Sequence, residues 1–452
     1  MPVSILSSFA TQPTDSTPSL CLVKVVATDP VTKPIHVGLL MDTSGSMEGE
    51  RIESVKRTLE VLLNHLKPDD KITLVGFCTT ASTVFNAVSI SADPAQKPLL
   101  VAAIKQMAAT TSTNLEAGLS ELGTILKDTA SPLNALVVLT DGHINEGIKT
   151  AAGLYSIIKS YFSAVPVYTL GYGVDHNADL LNSLSKRTHA NYTFIQDEVV
   201  LPVSMGNMLT ALQTEVASAA SLTFHGGLTC LEPAATPASG VFDFGSLIAD
   251  KPMWAVFKVP QGLESSPFVL NYKEQGIDKT LTFSPTLNSI PVDEILEQEL
   301  RCHTGAAIDK ATEAMRVRAY QTAKDLLTAA LALIAASPVA SRPLPITMKA
   351  QLDETLEEVT KALTAPPDQY YGGGAALLCR MTSMGGNYSA QRGVTQMADG
   401  STPGAFCSPA QVIASQQMSD EYSQGGGDPH THPPSAPPSA APPSVGAVPV
   451  AP

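Results

Sequence analysis

Zinc-site spacing is missing from this chain. Its six cysteines (Cys21, Cys78, Cys230, Cys302, Cys379 and Cys407) are scattered over 452 residues with no Cys-x-x-Cys pair and no Cys/His cluster. Neither a zinc site nor a disulfide framework is written into such a pattern. Basic residues are also short: 28 Lys and Arg against 42 Asp and Glu give a net charge of −14. Without a basic surplus nothing displaces the counterions of a phosphate backbone, which argues against nucleic acid and favours cations or basic proteins as company. Long apolar runs are absent too. The longest, LLTAALALIAAS (326–337), is too short to span a bilayer. The N-terminal MPVSILSSFATQPTDS has neither a cationic start nor a clean apolar stretch, so no secretory signal is read. The expectation is an intracellular, cytoplasmic protein with no membrane span. No Gly-x-Ser-x-Gly, His-Glu-x-x-His, Walker loop or Gly-x-Gly-x-x-Gly occurs, and nothing points to an enzyme.

What the chain does have is alternation. Its length allows two or three domains. Within it IHVGLLM (35–41), KITLVGF (71–77), ALVVLT (135–140) and VPVYTLGYG (165–173) read as strands covered on both faces. Helices are expected over 50–66, 114–128, 145–162 and near 197–219, the first with Ile52, Val55, Leu59, Leu62, Leu63 and Leu66 on one face. This order predicts an α/β fold with a doubly wound, mostly parallel, Rossmann-like sheet. STVFNAVS (82–89) follows its predecessor closely enough to be an antiparallel edge hairpin. On either side the pattern changes. SLCLVKVVAT (19–28) reads as a strand, and short runs separated by Gly and Pro between 221 and 285 predict a small β-sandwich that this strand joins. The expected layout is therefore an N-terminal segment (1–33), the α/β domain (34–219), the sandwich (220–290), a helical hairpin around Pro343 and Pro345 (291–365), an irregular segment (366–424) and a disordered tail rich in Pro, Ala and Ser (425–452).

In a doubly wound sheet, ligands bind beyond the carboxyl ends of the strands, where strand order reverses. LLMDTSGSMEGERI (39–52) ends its apolar run in Asp42, Ser44 and Ser46, with Gly45 to turn the chain. TTSTNLEAGL puts Thr113 in a loop directly before a helix, and VVLTDGHIN puts Asp141 directly after a buried strand. Two carboxylates and three hydroxyls are thus delivered toward one rim. That set suits a hard cation: magnesium takes near-octahedral oxygen ligands, with manganese or calcium as alternatives. A metal held mostly by neutral oxygens stays electrophilic, so a partner's Asp or Glu can complete its shell. The competing reading of DTSGS alone is a capped helix start, with Ser44 or Ser46 capping the 50–66 helix. Glu48 and Glu50 beside it read as the solvated first turn of that helix.

DTSGS (42–46), Thr113 and TDG (140–142) together resemble the metal-ion-dependent adhesion site of von Willebrand factor type A domains. The resemblance spans about residues 34–219 and includes every ligand position of that pattern. It implies a divalent-cation-dependent protein-binding module with Asp42, Ser44, Ser46, Thr113 and Asp141 as the metal ligands. GYGVDHNADLL (171–181) and the strands that follow are similar to intracellular type A proteins of plants and other eukaryotes, some of them RING ubiquitin ligases. This chain has no RING Cys/His array, so ligase activity does not carry over. One alternative is a non-catalytic scaffold subunit of a ubiquitin-ligase-type complex. Another is a membrane-associated channel regulator, against which the missing signal and span count.

Weaker signals remain. Asp175 and His176 leave a strand in a loop, where they either meet a partner near the rim or turn the chain, with Asn177 and Asp179 as turn and cap residues. His65 and Cys78 read as core, and Trp254 as packing in the sandwich. The tail carries His430, His432 and PSAP (434–437), which is similar to a short peptide taken by ubiquitin-sorting machinery. A polyproline-recognition partner, or a plain solubilising role, is the broader expectation for it.

Overall fold

The computed structural model describes residues 3–10, 18–28, 34–89, 95–127, 132–162, 165–232, 240–364, 371–391 and 406–425. The chain opens with β1 (Val3–Phe9) and β2 (Ser19–Ala27). Next come β3 (His36–Asp42), α1 (Glu50–His65), β4 (Lys71–Phe77), β5 (Ala81–Ser89), α2 (Gln96–Lys105), α3 (Leu115–Leu126) and β6 (Ala135–Thr140). The same unit continues with α4 (Ala151–Phe162), β7 (Val167–Tyr172), α5 (Ala178–Arg187), β8 (Tyr192–Ile195) and α6 (Val200–Gln213). Seven strands follow: β9 (Glu215–Thr223), β10 (Thr229–Cys230), β11 (Val241–Ile248), β12 (Met253–Val259), β13 (Phe268–Glu274), β14 (Ile277–Phe283) and β15 (Thr286–Leu287). Helices close the described chain: α7 (Val292–Arg316), α8 (Tyr320–Ala336), α9 (Pro343–Thr364), α10 (Tyr371–Ala390) and α11 (Pro409–Gly425).

The first sheet has the order β5-β4-β3-β6-β7-β8. All its pairings are parallel except β4 with the edge strand β5. From β3 the chain builds outward to one side and then crosses to β6 on the other, so the switch point lies between β3 and β6. Alternate side chains feed two cores. Leu39 and Met41 face α1, α2 and α6, whereas Leu40 faces α3, α4 and α5. The doubly wound, mostly parallel sheet read from the alternation is what forms.

Several boundaries moved. The helix expected from 145 begins at Ala151, because the amides of Asn145 and Glu146 donate to the Thr113 carbonyl at 3.1 and 3.2 Å instead. The helix expected near 197–219 stops at Gln213, and the alternating EVASAASLT turns at once into β9. The stretch expected as a helical hairpin forms three helices, broken after Arg316 by a turn that holds Arg318 at φ 59°.

The largest correction lies in 366–424, expected to be irregular. It contains α10 and α11. Neither has strong helical periodicity, and α10 is rich in glycine; their helicity comes from what they cover. Met418 and Tyr422 of α11 enter the core beneath α1 and α6, and Cys379 of α10 enters the core on the opposite face. Tyr422 donates to Glu198 at 2.9 Å and accepts from Ser54 Oγ at 3.1 Å, with Arg57 stacked over its ring. His65, read as core, lies half-exposed 3.1 Å from Glu421 of α11. His430, His432 and the PSAP stretch fall outside the described residues.

The remaining strands form two sheets, β10-β12-β2-β1-β15 and β11-β9-β13-β14, packed around one apolar core. On β2, Cys21, Val23 and Val25 point between the sheets while Leu22 points outward beneath α7. Trp254, expected inside the sandwich, lies on that outer side and donates from Nε1 to Glu294 of α7 at 3.0 Å. Arg301 of α7 ties the layers together. Its guanidinium grips both oxygens of Glu232, at 2.9 and 2.6 Å, and reaches the Tyr388 carbonyl at 3.2 Å. Both charged side chains are fully enclosed. Among the described residues no helix is long and apolar enough to cross a membrane. Removing one partner of an enclosed ion pair strands the other without water, so Arg301→Ala is expected to cost about 3–5 kcal/mol. Chemical denaturation followed by sandwich-specific Trp254 fluorescence measures this, and a loss under ~1 kcal/mol sinks the account.

Candidate metal centre

β3 ends at Asp42, and the chain then folds back under its own carboxylate. Ser44 N donates to Asp42 Oδ1 at 2.8 Å, and Thr140 Oγ1 donates to Oδ2 at 2.5 Å. Gly45 permits the tight approach that follows: a side chain there would meet the Thr110 carbonyl at 3.2 Å. Its amide donates to the Thr111 carbonyl at 2.8 Å, which stitches the β3 loop to the loop before α3. The capped-helix reading of this stretch does not hold. The residue before α1 is Gly49, at φ 87°, and neither serine caps a helix with its side chain.

The serines point elsewhere. Ser46 Oγ donates to Asp141 Oδ1 at 2.7 Å, which leaves Ser44 Oγ to donate to Ser46 Oγ at 3.1 Å. Thr113 arrives from the opposite loop, its amide held by Asn145 Oδ1 at 2.9 Å. A Cβ placed on Gly142 would stand 3.4 Å from Ser46 Oγ and 3.5 Å from Thr113 Oγ1, so the two hydroxyls lie on either side of one position beside Gly142. All five residues singled out from the sequence are thus brought to the rim at the switch point. Asp42, Ser44, Thr113 and Asp141 are buried, and Ser46 is the exposed member.

The donor set fits a hard dication. Adjacent ligands of an octahedral magnesium stand about 2.9 Å apart. Ser44 to Ser46 and Ser46 to Asp141, at 3.1 and 2.7 Å, bracket that spacing. The electrostatics agree. Asp42 is 1% exposed, and burial first, with Asp141 adding to it, pushes its carboxyl up to about 6 against the hydrogen bonds that pull it down. A carboxylate so situated calls for a positive neighbour. Among the described residues no group of three or more His, Cys, Asp or Glu stands at metal-binding separation, so any cation here relies on hydroxyls.

Three participants were not read from the sequence. Thr140 and Asn145 hold Asp42 and Thr113 in place; Thr140 was legible only as part of TDG, and Asn145 looked like helix. Arg51, on the first turn of α1, donates from Nη1 to Asp141 Oδ2 and to the Ser46 carbonyl. The other rim signals separate. Asp175 is exposed, with Oδ2 3.7 Å from Arg51 Nη2. His176 is enclosed beside Tyr192 at 2.6 Å, and burial pushes its imidazole down to about 4, so it is core. Asn177 caps α5 by accepting from Leu180 N. Cys78, read as core, is half-exposed at the rim; burial acts to raise its thiol, but hydrogen bonds from Thr110, Thr80 and Thr111 outweigh it and hold the thiol below its ordinary range.

A family model, von Willebrand factor type A domain, matches residues 36–202. That stretch of the chain is a von Willebrand factor type A domain. Such domains are protein-interaction modules, and many depend on a bound divalent metal. Inter-alpha-trypsin inhibitor heavy chain H3 of Rattus norvegicus is 27% identical over 164 residues, 34% of this chain and 18% of that protein. The chain spans between 18% and 38% of the length of the first curated relatives it matches. Among solved structures, the von Willebrand factor type A protein from Catenulispora acidiphila aligns over 88% of this chain and 97% of its own, with a TM-score of 0.61 at 16% identity. The ArnB paralog VWA2 from Sulfolobus acidocaldarius covers 86% of this chain and 99% of its own, with a TM-score of 0.53 at 16% identity. At that identity they establish the fold alone. Their coverage reaches well past the type A domain itself.

The raised Asp42 carboxyl sets a pH dependence. A proton on Asp42 is favoured by folding, so its stabilising contribution is complete below the ordinary value near 3.8 and is lost as pH rises through about 6. In chelator, wild type is therefore expected to lose up to about 3 kcal/mol relative to Asp42→Asn between pH 4 and 7. Parallel thermal melts measure this, and a difference flat with pH would show that Asp42 is not held away from water.

Proposed function

We propose that Asp42, Ser44, Ser46, Thr113 and Asp141 hold one divalent cation, magnesium in the first instance, and that the protein binds partners through it. The observation that carries this reading is the chain of oxygens from Ser44 through Ser46 to Asp141, at octahedral-edge spacing and beside a buried Asp42. Bound mostly by neutral hydroxyls, magnesium supplies an electrophilic position for one more anionic oxygen. The protein's own groups do the rest. Thr140 and the Ser44 amide orient Asp42, Asn145 fixes the Thr113 loop, and the exposed Ser46 leaves the rim open to a partner's Asp or Glu. The serine hydroxyls are engaged with each other and with a carboxylate rather than with a histidine or lysine, which supports a binding role over a catalytic one. All six cysteines are free thiols, in keeping with an intracellular setting.

Thermal unfolding in chelator and in millimolar magnesium tests the first half. At a hundred times its dissociation constant the ion is expected to add about 2.7 kcal/mol to wild type and nothing to Asp42→Ala. A variant that responds like wild type removes these residues as ligands. For the second half, capture of an Asp-containing ligand should require magnesium and should vanish when the ligand's acid is replaced by Asn; capture that persists in chelator ends the carboxylate mechanism.

A further inference from the structure

Arg51 has a place prepared for it. Its guanidinium reaches two carboxylates from one position: Nη1 sits on Asp141 Oδ2 and under the Ser46 carbonyl, while Nη2 lies 3.7 Å from Asp175 Oδ2. Gly173, at φ 69°, provides the space, since a Cβ there would stand 3.3 Å from Nη2. The two acids are unequal. The Asp141 side chain is fully enclosed and that of Asp175 is 68% exposed. A guanidinium on an enclosed carboxylate replaces the water that burial has stripped away, whereas its exposed partner exchanges freely with solvent.

We propose that Arg51 is a built-in cation that competes with the metal for Asp141 and so sets the affinity of the site. The inference rests on the reading of these residues as a cation site. A second positive charge beside Asp141 opposes an incoming dication directly, and the bond from Arg51 to Oδ2 must yield or turn aside as Asp141 takes up a new counterion. Asp175 gives the guanidinium somewhere to go without leaving the rim. The residue therefore acts in two directions: it stabilises the molecule without metal and weakens the hold on metal. A merely structural arginine would do only the first.

The test measures magnesium binding to the full chain by calorimetric titration, and melting temperature in chelator, for wild type, Arg51→Gln and Asp175→Asn. Arg51→Gln is expected to melt lower than wild type in chelator, yet to be half-saturated with magnesium at a concentration about tenfold lower. Asp175→Asn, which removes the alternative partner, is expected to need more magnesium than wild type, and that effect should disappear when combined with Arg51→Gln. An unchanged or higher half-point for Arg51→Gln overturns the proposal while leaving the cation site standing. A shift from Asp175→Asn that persists undiminished in the double variant also overturns it, as it would then be a plain charge effect. If Arg51→Gln does not fold, Asp175→Asn decides alone, and a half-point equal to that of wild type overturns the proposal. Wild type that ignores magnesium altogether overturns both readings together.

Discussion

Two carboxylates buried side by side, Asp42 and Asp141, are the constraint around which this chain is organised. Neither sees bulk water, and Asp141 adds to the cost of charge on Asp42. Everything nearby answers that cost. Thr140 and the Ser44 amide serve Asp42, Ser46 and Arg51 serve Asp141, and Gly45 lets its loop close on the Thr110 carbonyl. Burying acids in this way lowers stability unless something is gained, and here the gain is a rim of oriented oxygens at the sheet's switch point. The fold around it acts mainly as a frame. β3 ends on Asp42 and its neighbour β6 delivers Asp141 one residue past its own end, so strand pairing sets where the two acids meet.

Much of this was readable before any coordinates. Continuous apolar runs marked β3, β4 and β6 to within a residue, since strands enclosed on both faces leave no other pattern. The five oxygen-bearing residues were visible because each follows a buried strand or precedes a helix. What escaped notice was relational. Arg51 reads as an ordinary charged residue on a helix's first turn until its guanidinium is found against an acid 90 positions away. Asn145 sits in helical periodicity, yet its side chain and amide are claimed by Thr113, and the helix starts six residues later than its pattern suggests. In α10 and α11 the pattern itself is weak, and tertiary burial decides what propensity leaves open.

The sandwich and helices stand behind the type A domain as more than a pedestal. Arg301 and Glu232 join the sandwich to α7 and α10, α10 lies against α5 and β8, and Arg316 of α7 reaches Asp179 on α5. A polar cleft of about 710 Å³ opens among α5, α7 and α10, where Arg316 is already neutralised by Asp179 and Glu313. Among the described residues α7 and α10 therefore meet the domain on the α5 and β8 flank, away from β3.

The clasp of α11 over α1 and α6 has a consequence for how the molecule is made. Met418 and Tyr422 complete a core whose other members were translated two hundred residues earlier and more. A ribosome that has released the whole type A domain has thus released it with an apolar seam still bare, to be sealed only when the segment ending at Gly425 emerges. For that interval the nascent chain presents sticky surface, and a chaperone that recognises exposed aliphatic side chains would find its client there.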